Sequence, residues 1–230
     1  MMSVDTTFTV PQGQKAPSTA ALPSIQPTTN GTSLQAANAS KMAGQAGGHT
    51  HIFLVTGPAG CGKSSVAEYL ANALNMPYIE GDSFHTPANI EKMRNGIPLT
   101  DADRWDWLTA LREESMRQIK EGQTGVVMTC SALKRKYRDV IRVAAYYDHR
   151  LLIHFIYLDA SEELLLRRVA QRQGHYMGAN MVHSQFDILE RPSESETDVI
   201  TIDVSRTLAE VQQDALARAI ETIKKDEESQ

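Results

Sequence analysis

Gly57-Pro58-Ala59-Gly60-Cys61-Gly62-Lys63-Ser64 fits G-x-x-x-x-G-K-[ST], the spacing of a phosphate cradle. Glycines let the backbone turn its N–H groups inward, and a helix beginning at the lysine adds unpaired amides and a partial positive charge. In such a loop Lys63 reaches the outer phosphates of a polyphosphate, and the Ser64 hydroxyl is a ligand for Mg²⁺. A second chemical group follows at Asp82, after Gly81 at the end of a short apolar run. A carboxylate there points into the crevice where parallel α/β sheets bind ligands. It can accept the proton of a substrate hydroxyl, help order Mg²⁺, or act as a plain turn residue. Arg168 and Arg172 recur along a later helix that runs into Gln173-Gly174-His175, as suits a lid that closes over phosphates and brings positive charge.

These groups need elements to hold them. His51 to Thr56 is an apolar strand ahead of the glycine loop, and Val66, Ala67, Leu70, Ala71 and Leu74 mark one face of the helix behind it. Strands are also expected at 76–80, 125–130, 151–158 and 199–203. The third ends at Cys130 with no acidic residue, which gives Asp82 more weight. Helices are expected at about 89–95, from Thr100 to 120, from 131 to 147, after Ser161, over 181–190 and over 207–225. Thr100 with Asp103 forms a capping pattern, so Asp101 or Asp103 has a structural role to set against a substrate role. The run Lys134-Arg135-Lys136-Tyr137-Arg138 reads either as a solvated helix face or as an anion site at a strand end. His154 lies inside the clearest strand and reads as a core or edge histidine, since no ligand partner is near it in sequence.

The chain has 230 residues, 41% apolar and 22% charged, with net charge −5. A chain of this size suggests one domain with extensions. No basic field is present to attract nucleic acid or an anionic membrane, so an anionic substrate needs locally placed Arg and Lys. Cys61 and Cys130 are too few for a disulfide scaffold and read as reduced thiols of a cytoplasmic protein. No stretch approaches the roughly 18 consecutive apolar residues of a membrane span. Residues 1–48, with Pro11, Pro17, Pro23 and Pro27 among Ser, Thr, Gln and Ala, read as a disordered leader. The expected organisation is that leader, a domain over 49–226 with a lid at about 168–192, and a polar tail at 227–230.

Four blocks together resemble the gluconokinases, P-loop kinases related in fold to shikimate and adenylate kinases. They are GPAGCGKS at 57–64, GDSFHTPANIEKMRNGIPLTDADR at 81–104, CSALKRKYRD at 130–139, and RQGH at 172–175 with SQFDILE at 184–190. The resemblance implies a three-layer α/β/α fold with a central parallel sheet and a helical lid. It implies ATP- and Mg²⁺-dependent phosphorylation of D-gluconate at its 6-hydroxyl, in a family where homodimers are common. Gly57, Pro58, Ala59, Gly60, Cys61, Gly62, Lys63, Ser64 and Ser65 would then hold the nucleotide, with Ser64 and Asp82 at the metal. Asp82 would be the base or hydroxyl-orienting carboxylate. His85, Lys92, Arg94, Arg104, Lys134 and Arg138 would surround the sugar acid, and Arg168 and Arg172 would meet ATP and transition-state charge. A shikimate-type kinase is opposed by the long block at 81–104, and an inert ATP-binding protein by the retention of Lys63, Ser64 and Asp82.

Overall fold

Five short apolar segments, each followed by a helix or loop crossing back, can pair only as a parallel sheet covered on both faces. The computed structural model, which describes residues 48–171 and 179–229, has this form. Strands β1 (Thr50–Thr56), β2 (Tyr78–Ile79), β3 (Gly125–Thr129), β4 (Leu151–Asp159) and β5 (Val199–Asp203) lie in the order β2-β3-β1-β4-β5. All neighbours are parallel, with Phe53 opposite both Val127 and His154.

Alternate residues of the central strands face opposite cores. Phe53, Val55, Val127, Ile156 and Leu158 pack beneath α1 (Lys63–Leu74) and the last helix. Ile52, Leu54, Val126, Met128 and Phe155 pack on the other face, against α3 (Asp101–Lys120) and α4 (Arg135–Arg142). Between β2 and α3 lie a 3-10 turn (Gly81–Phe84) and α2 (Pro87–Arg94). After β4 come α5 (Glu162–Gln171), α6 (Ala179–Asp187), β5 and α7 (Leu208–Glu228).

Helix starts follow side-chain chemistry. Thr86 accepts from Asn89 N to open α2, Ser161 accepts from Leu164 N to open α5, and Thr100–Asp103 and Thr207–Glu210 form reciprocal capping boxes for α3 and α7. Helix α1 has no such cap: Gly62 precedes it at φ 102°, and no acid lies in its first turn. Its leading amides are therefore left for an anion.

Several boundaries differ from expectation. Helix α4 is confined to 135–142 and continues as a 3-10 turn at 143–147, α6 spans 179–187 rather than 181–190, and α7 runs to Glu228 through the expected polar tail. Residues 1–47 of the expected leader, and Arg172 with His175, lie outside the described residues.

Candidate active site

The carboxyl ends of β1, β2 and β3 are tied into one floor. Thr56 donates to the Ser131 carbonyl at 2.6 Å, and Gly57 N approaches the same oxygen at 3.4 Å. The glycine loop therefore leaves β1 already fastened to the end of β3. Gly57 sits at φ 139°, and a Cβ there would lie 2.9 Å from both the Leu158 carbonyl and Cys61 Sγ, so only glycine fits. Lys63 curls back over the loop and donates to the carbonyls of Gly57 (3.0 Å) and Pro58 (3.1 Å). From α6, Gln185 Oε1 accepts from Ala59 N at 2.7 Å, so the expected lid touches the loop through that amide. Ser65 lends its carbonyl to Gln212 of α7 at 3.0 Å.

Two carboxylates flank the loop where the sequence singled out one. Glu80, directly after β2, accepts from Thr129 Oγ1 at 2.6 Å and from the Tyr78 hydroxyl. Burial alone would raise its carboxyl, but hydrogen bonds from Thr129, Tyr78 and Ser64 together hold it below its ordinary value. Glu80 is thus ionised and beside the hydroxyl of the P-loop serine. Asp82 lies on the other side of Gly81. Burial pushes its carboxyl up, Lys63 pulls it back, and Glu80 pushes it further up. The side chain nevertheless keeps 59% of its surface open, which leaves it available to a guest.

Gly81 holds the two acids in place. Its N–H donates to Thr129 Oγ1 (2.9 Å), its carbonyl accepts from Trp107 Nε1 (2.7 Å), and a Cβ would fall 1.9 Å from the Thr129 carbonyl.

Next to Asp82 is a buried polar wall. His85 stacks on Trp107 at 4.0 Å between ring centroids, and its Nε2 lies 3.9 Å from Asp82 Oδ1. That spacing is too long for a direct hydrogen bond and suits a bridging hydroxyl or water. Burial and the Arg104 charge lower His85 to about 4, so its ring is neutral near pH 7. Arg104 is buried, crosses the Tyr137 ring at 5.4 Å and donates to the Leu99 carbonyl at 3.3 Å. Among the described residues, His85 Nδ1 and Arg104 Nε are buried without hydrogen-bond partners. Both are donors or acceptors whose capacity the protein itself leaves unused. Cys130, at the end of β3, is near enough to Asp82, Lys63 and Arg104 to feel all three charges. Burial drives the Cys130 thiol up to about 12, and burial also raises Cys61, so neither thiol is a ready nucleophile.

Other expected site residues are engaged elsewhere. Arg138 is the clearest correction. It is 1% exposed and forked onto Glu196 (2.6 and 2.8 Å), and it also donates to the carbonyls of Ala132 and Glu190 (both 3.2 Å). Its donors are spent inside the protein because the loop before β5 folds an acid under α4. Lys134 pairs with Asp101 at 3.1 Å, in a cluster that includes Lys136 and the Tyr137 hydroxyl, so Asp101 gathers the basic run instead of a ligand. Lys92 pairs with Asp103 at 2.6 Å, and Asp103 also caps α3. Arg94, in the last turn of α2, has no ion-pair partner among the described residues. Arg168 donates to the Val204 carbonyl at 2.6 Å, with its charge felt at Cys61 of the loop. Glu80 is the group that sequence reasoning missed. Its signal was an acid directly after the strand that follows the P-loop helix.

Residues 52–191 match the family described as an AAA domain. A curated relative from Schizosaccharomyces pombe, named "Probable gluconokinase", is 46% identical over 170 residues, 73% of this chain and 87% of the relative. The thermoresistant gluconokinase of Escherichia coli K12 is 37% identical across 76% of this chain and 94% of its own length. Among solved structures, a gluconokinase from Sinorhizobium meliloti 1021 superposes with a TM-score of 0.66 at 40% identity, covering 77% of this chain and 96% of that one. An APS kinase of Mycobacterium tuberculosis, at 18% identity and a TM-score of 0.55, shares the fold alone. A glycine cradle, paired acids at the β2 end and these relatives agree: the chain belongs to the gluconokinase family of P-loop kinases.

Proposed function

We propose that the protein transfers the γ-phosphoryl group of ATP, with Mg²⁺, to the 6-hydroxyl of D-gluconate, yielding 6-phospho-D-gluconate and ADP. The observation that carries this reading is the wall beside Asp82, where His85 Nε2 stands 3.9 Å from the Asp82 carboxylate and polar atoms of His85 and Arg104 lie buried with no hydrogen-bond partner among the described residues. A polyol acid, with a hydroxyl on nearly every carbon, is the kind of guest that uses such atoms.

Phosphoryl transfer asks the protein for positioning and charge neutralisation more than for covalent chemistry. The uncapped start of α1 and the loop amides hold the phosphates, and Lys63 exchanges its two loop carbonyls for the outer phosphate oxygens. Ser64, Glu80 and Asp82 offer only hard oxygens, a donor set that fits Mg²⁺. The ion, when bound, neutralises charge on the phosphates. Asp82 is the group that orients the acceptor hydroxyl and takes its proton late in the transfer. Its raised carboxyl makes it a better proton acceptor than an ordinary surface aspartate. Neutral His85 fixes a neighbouring hydroxyl, and Arg104 adds positive charge in that wall. Two buried free thiols support a reducing, cytoplasmic setting.

The test is ADP production with gluconate against shikimate, other sugar acids and a blank. Gluconate-dependent turnover is expected, and Asp82→Asn should lower it by ~10²-fold or more while nucleotide affinity stays close to wild type. Equal turnover with and without gluconate would refute the substrate, and full activity in the variant would remove Asp82 from the mechanism.

A further inference from the structure

At the opposite end of the sheet from the glycine cradle, three potential ligands meet. His51 stands at the start of β1, His154 lies in β4, and Asp226 is in the last turns of α7. The two histidines share the sheet face that α7 covers, since His154 is in register with Phe53, two residues on from His51. Both histidines are buried, and Asp226 is half-buried above them. Their closest atoms form a triangle: His51 Nδ1 to His154 Nε2 3.2 Å, His154 Nε2 to Asp226 Oδ2 3.1 Å, and His51 Nδ1 to Asp226 Oδ2 3.7 Å.

We propose that His51, His154 and Asp226 bind one divalent transition-metal ion of the zinc class. The geometry carries this. Ligand atoms about 2.0–2.1 Å from a tetrahedral ion lie about 3.3 Å from one another, and the three observed edges bracket that length. Hydrogen bonding alone accounts for the cluster poorly. His154 Nε2 has one in-plane position, yet it faces both His51 Nδ1 and Asp226 Oδ2. Asp226 Oδ2 is buried and has no hydrogen-bond partner among the described residues. A cation at the centre of the triangle serves all three atoms together, with water filling the fourth position. Two imidazole nitrogens and one carboxylate favour zinc over Mg²⁺ or Ca²⁺, which prefer oxygen alone. Such an ion would pin the end of α7 to β1 and β4, roughly 17 Å along β1 from the phosphate loop. His154 is buried, as its place in β4 led us to expect, and its partners come from residues far away in the chain.

The test is metal retention by the full chain. The protein is stripped with EDTA, equilibrated with excess Zn²⁺ in the presence of millimolar Mg²⁺ to occupy oxygen sites, desalted, and assayed for bound metal. Wild type is expected to keep about one zinc per chain and to melt at a higher temperature with zinc than after chelation. Asp226→Asn, a near-isosteric change at the least buried ligand, should weaken zinc retention at least ~10-fold and remove most of the melting shift. His154→Gln should do the same, and Co²⁺ in wild type should give tetrahedral visible absorption that both variants lack. No zinc retained by wild type, or equal retention in wild type and a folded Asp226→Asn protein, would overturn the proposal.

Discussion

Glu196→Gln separates a structural arginine from a substrate-binding one. Glu196 is 6% exposed and accepts two hydrogen bonds from Arg138 and one from Arg142. The pair with Arg138, aided by Arg142, pulls its carboxyl from 4.5 down to about 2. A displacement of that size corresponds to about 3 kcal/mol of folding stability. A second route gives the same scale: removing one partner of a buried ion pair costs about 3–5 kcal/mol, because the other charge stays buried. Arg142 keeps Asp198 and Asp139, so the loss falls mainly on Arg138. The variant should therefore be about 3 kcal/mol less stable at pH 7, lowering the melting temperature by roughly 6–12 °C for a domain of this size.

The sign of the pH dependence follows from the lowered carboxyl. The stabilisation is complete above about 4.5 and is lost as pH falls toward 2, so the gap between wild type and variant should narrow across that window. Urea unfolding at several pH values measures this, and steady-state kinetics at a permissive temperature supply the control. The KM for gluconate should stay within about 2-fold, since Arg138 is buried with its donors turned into the protein. An unchanged unfolding midpoint together with a KM raised 10-fold or more would show that Arg138 serves the substrate, and the reasoning would fail.

Three further outcomes are expected. Glu80→Gln removes the charge beside Ser64, so the Mg²⁺ concentration giving half-maximal rate should rise ~10-fold, as read from a Mg²⁺ titration; an unchanged titration would deny Glu80 any part at the ion. Gly81→Ala drives a methyl against the Thr129 carbonyl, and its activity should fall with a stability loss of about 2 kcal/mol or more, measured by chemical denaturation. Gln185→Ala removes the acceptor on Ala59 N, and hydrogen exchange at that amide should quicken in the nucleotide-free protein; equal exchange would mean that the lid contact does not protect it.

What could be read from the chain was whatever is local. The glycine loop, the apolar face of α1 and the Thr100–Asp103 cap each sit within a dozen residues, and the structure forms them where the spacing says. Contacts made by distant segments were not legible. Arg138 looked like part of an exposed basic run because Glu196, its partner, comes 58 residues later. His154 looked partnerless because His51 is 103 residues away and Asp226 belongs to the final helix. Glu80 looked like an ordinary strand-end residue until pairing of Ile79 with Met128 set it beside Thr129. In each case the chemistry depends on how distant segments come together, which no single segment encodes.

Gly81 also constrains how this enzyme could be altered. With backbone oxygen crowding one side and the indole of Trp107 anchoring the other, the span between the two acids cannot be retuned by exchanging the residue that joins them. A changed appetite for other polyols is better sought in the wall beside the acids, at His85 and the start of α3, while the joint beneath stays as it is. Directed evolution toward new acceptors should accordingly gather its gains around His85 and Arg104 and leave position 81 untouched.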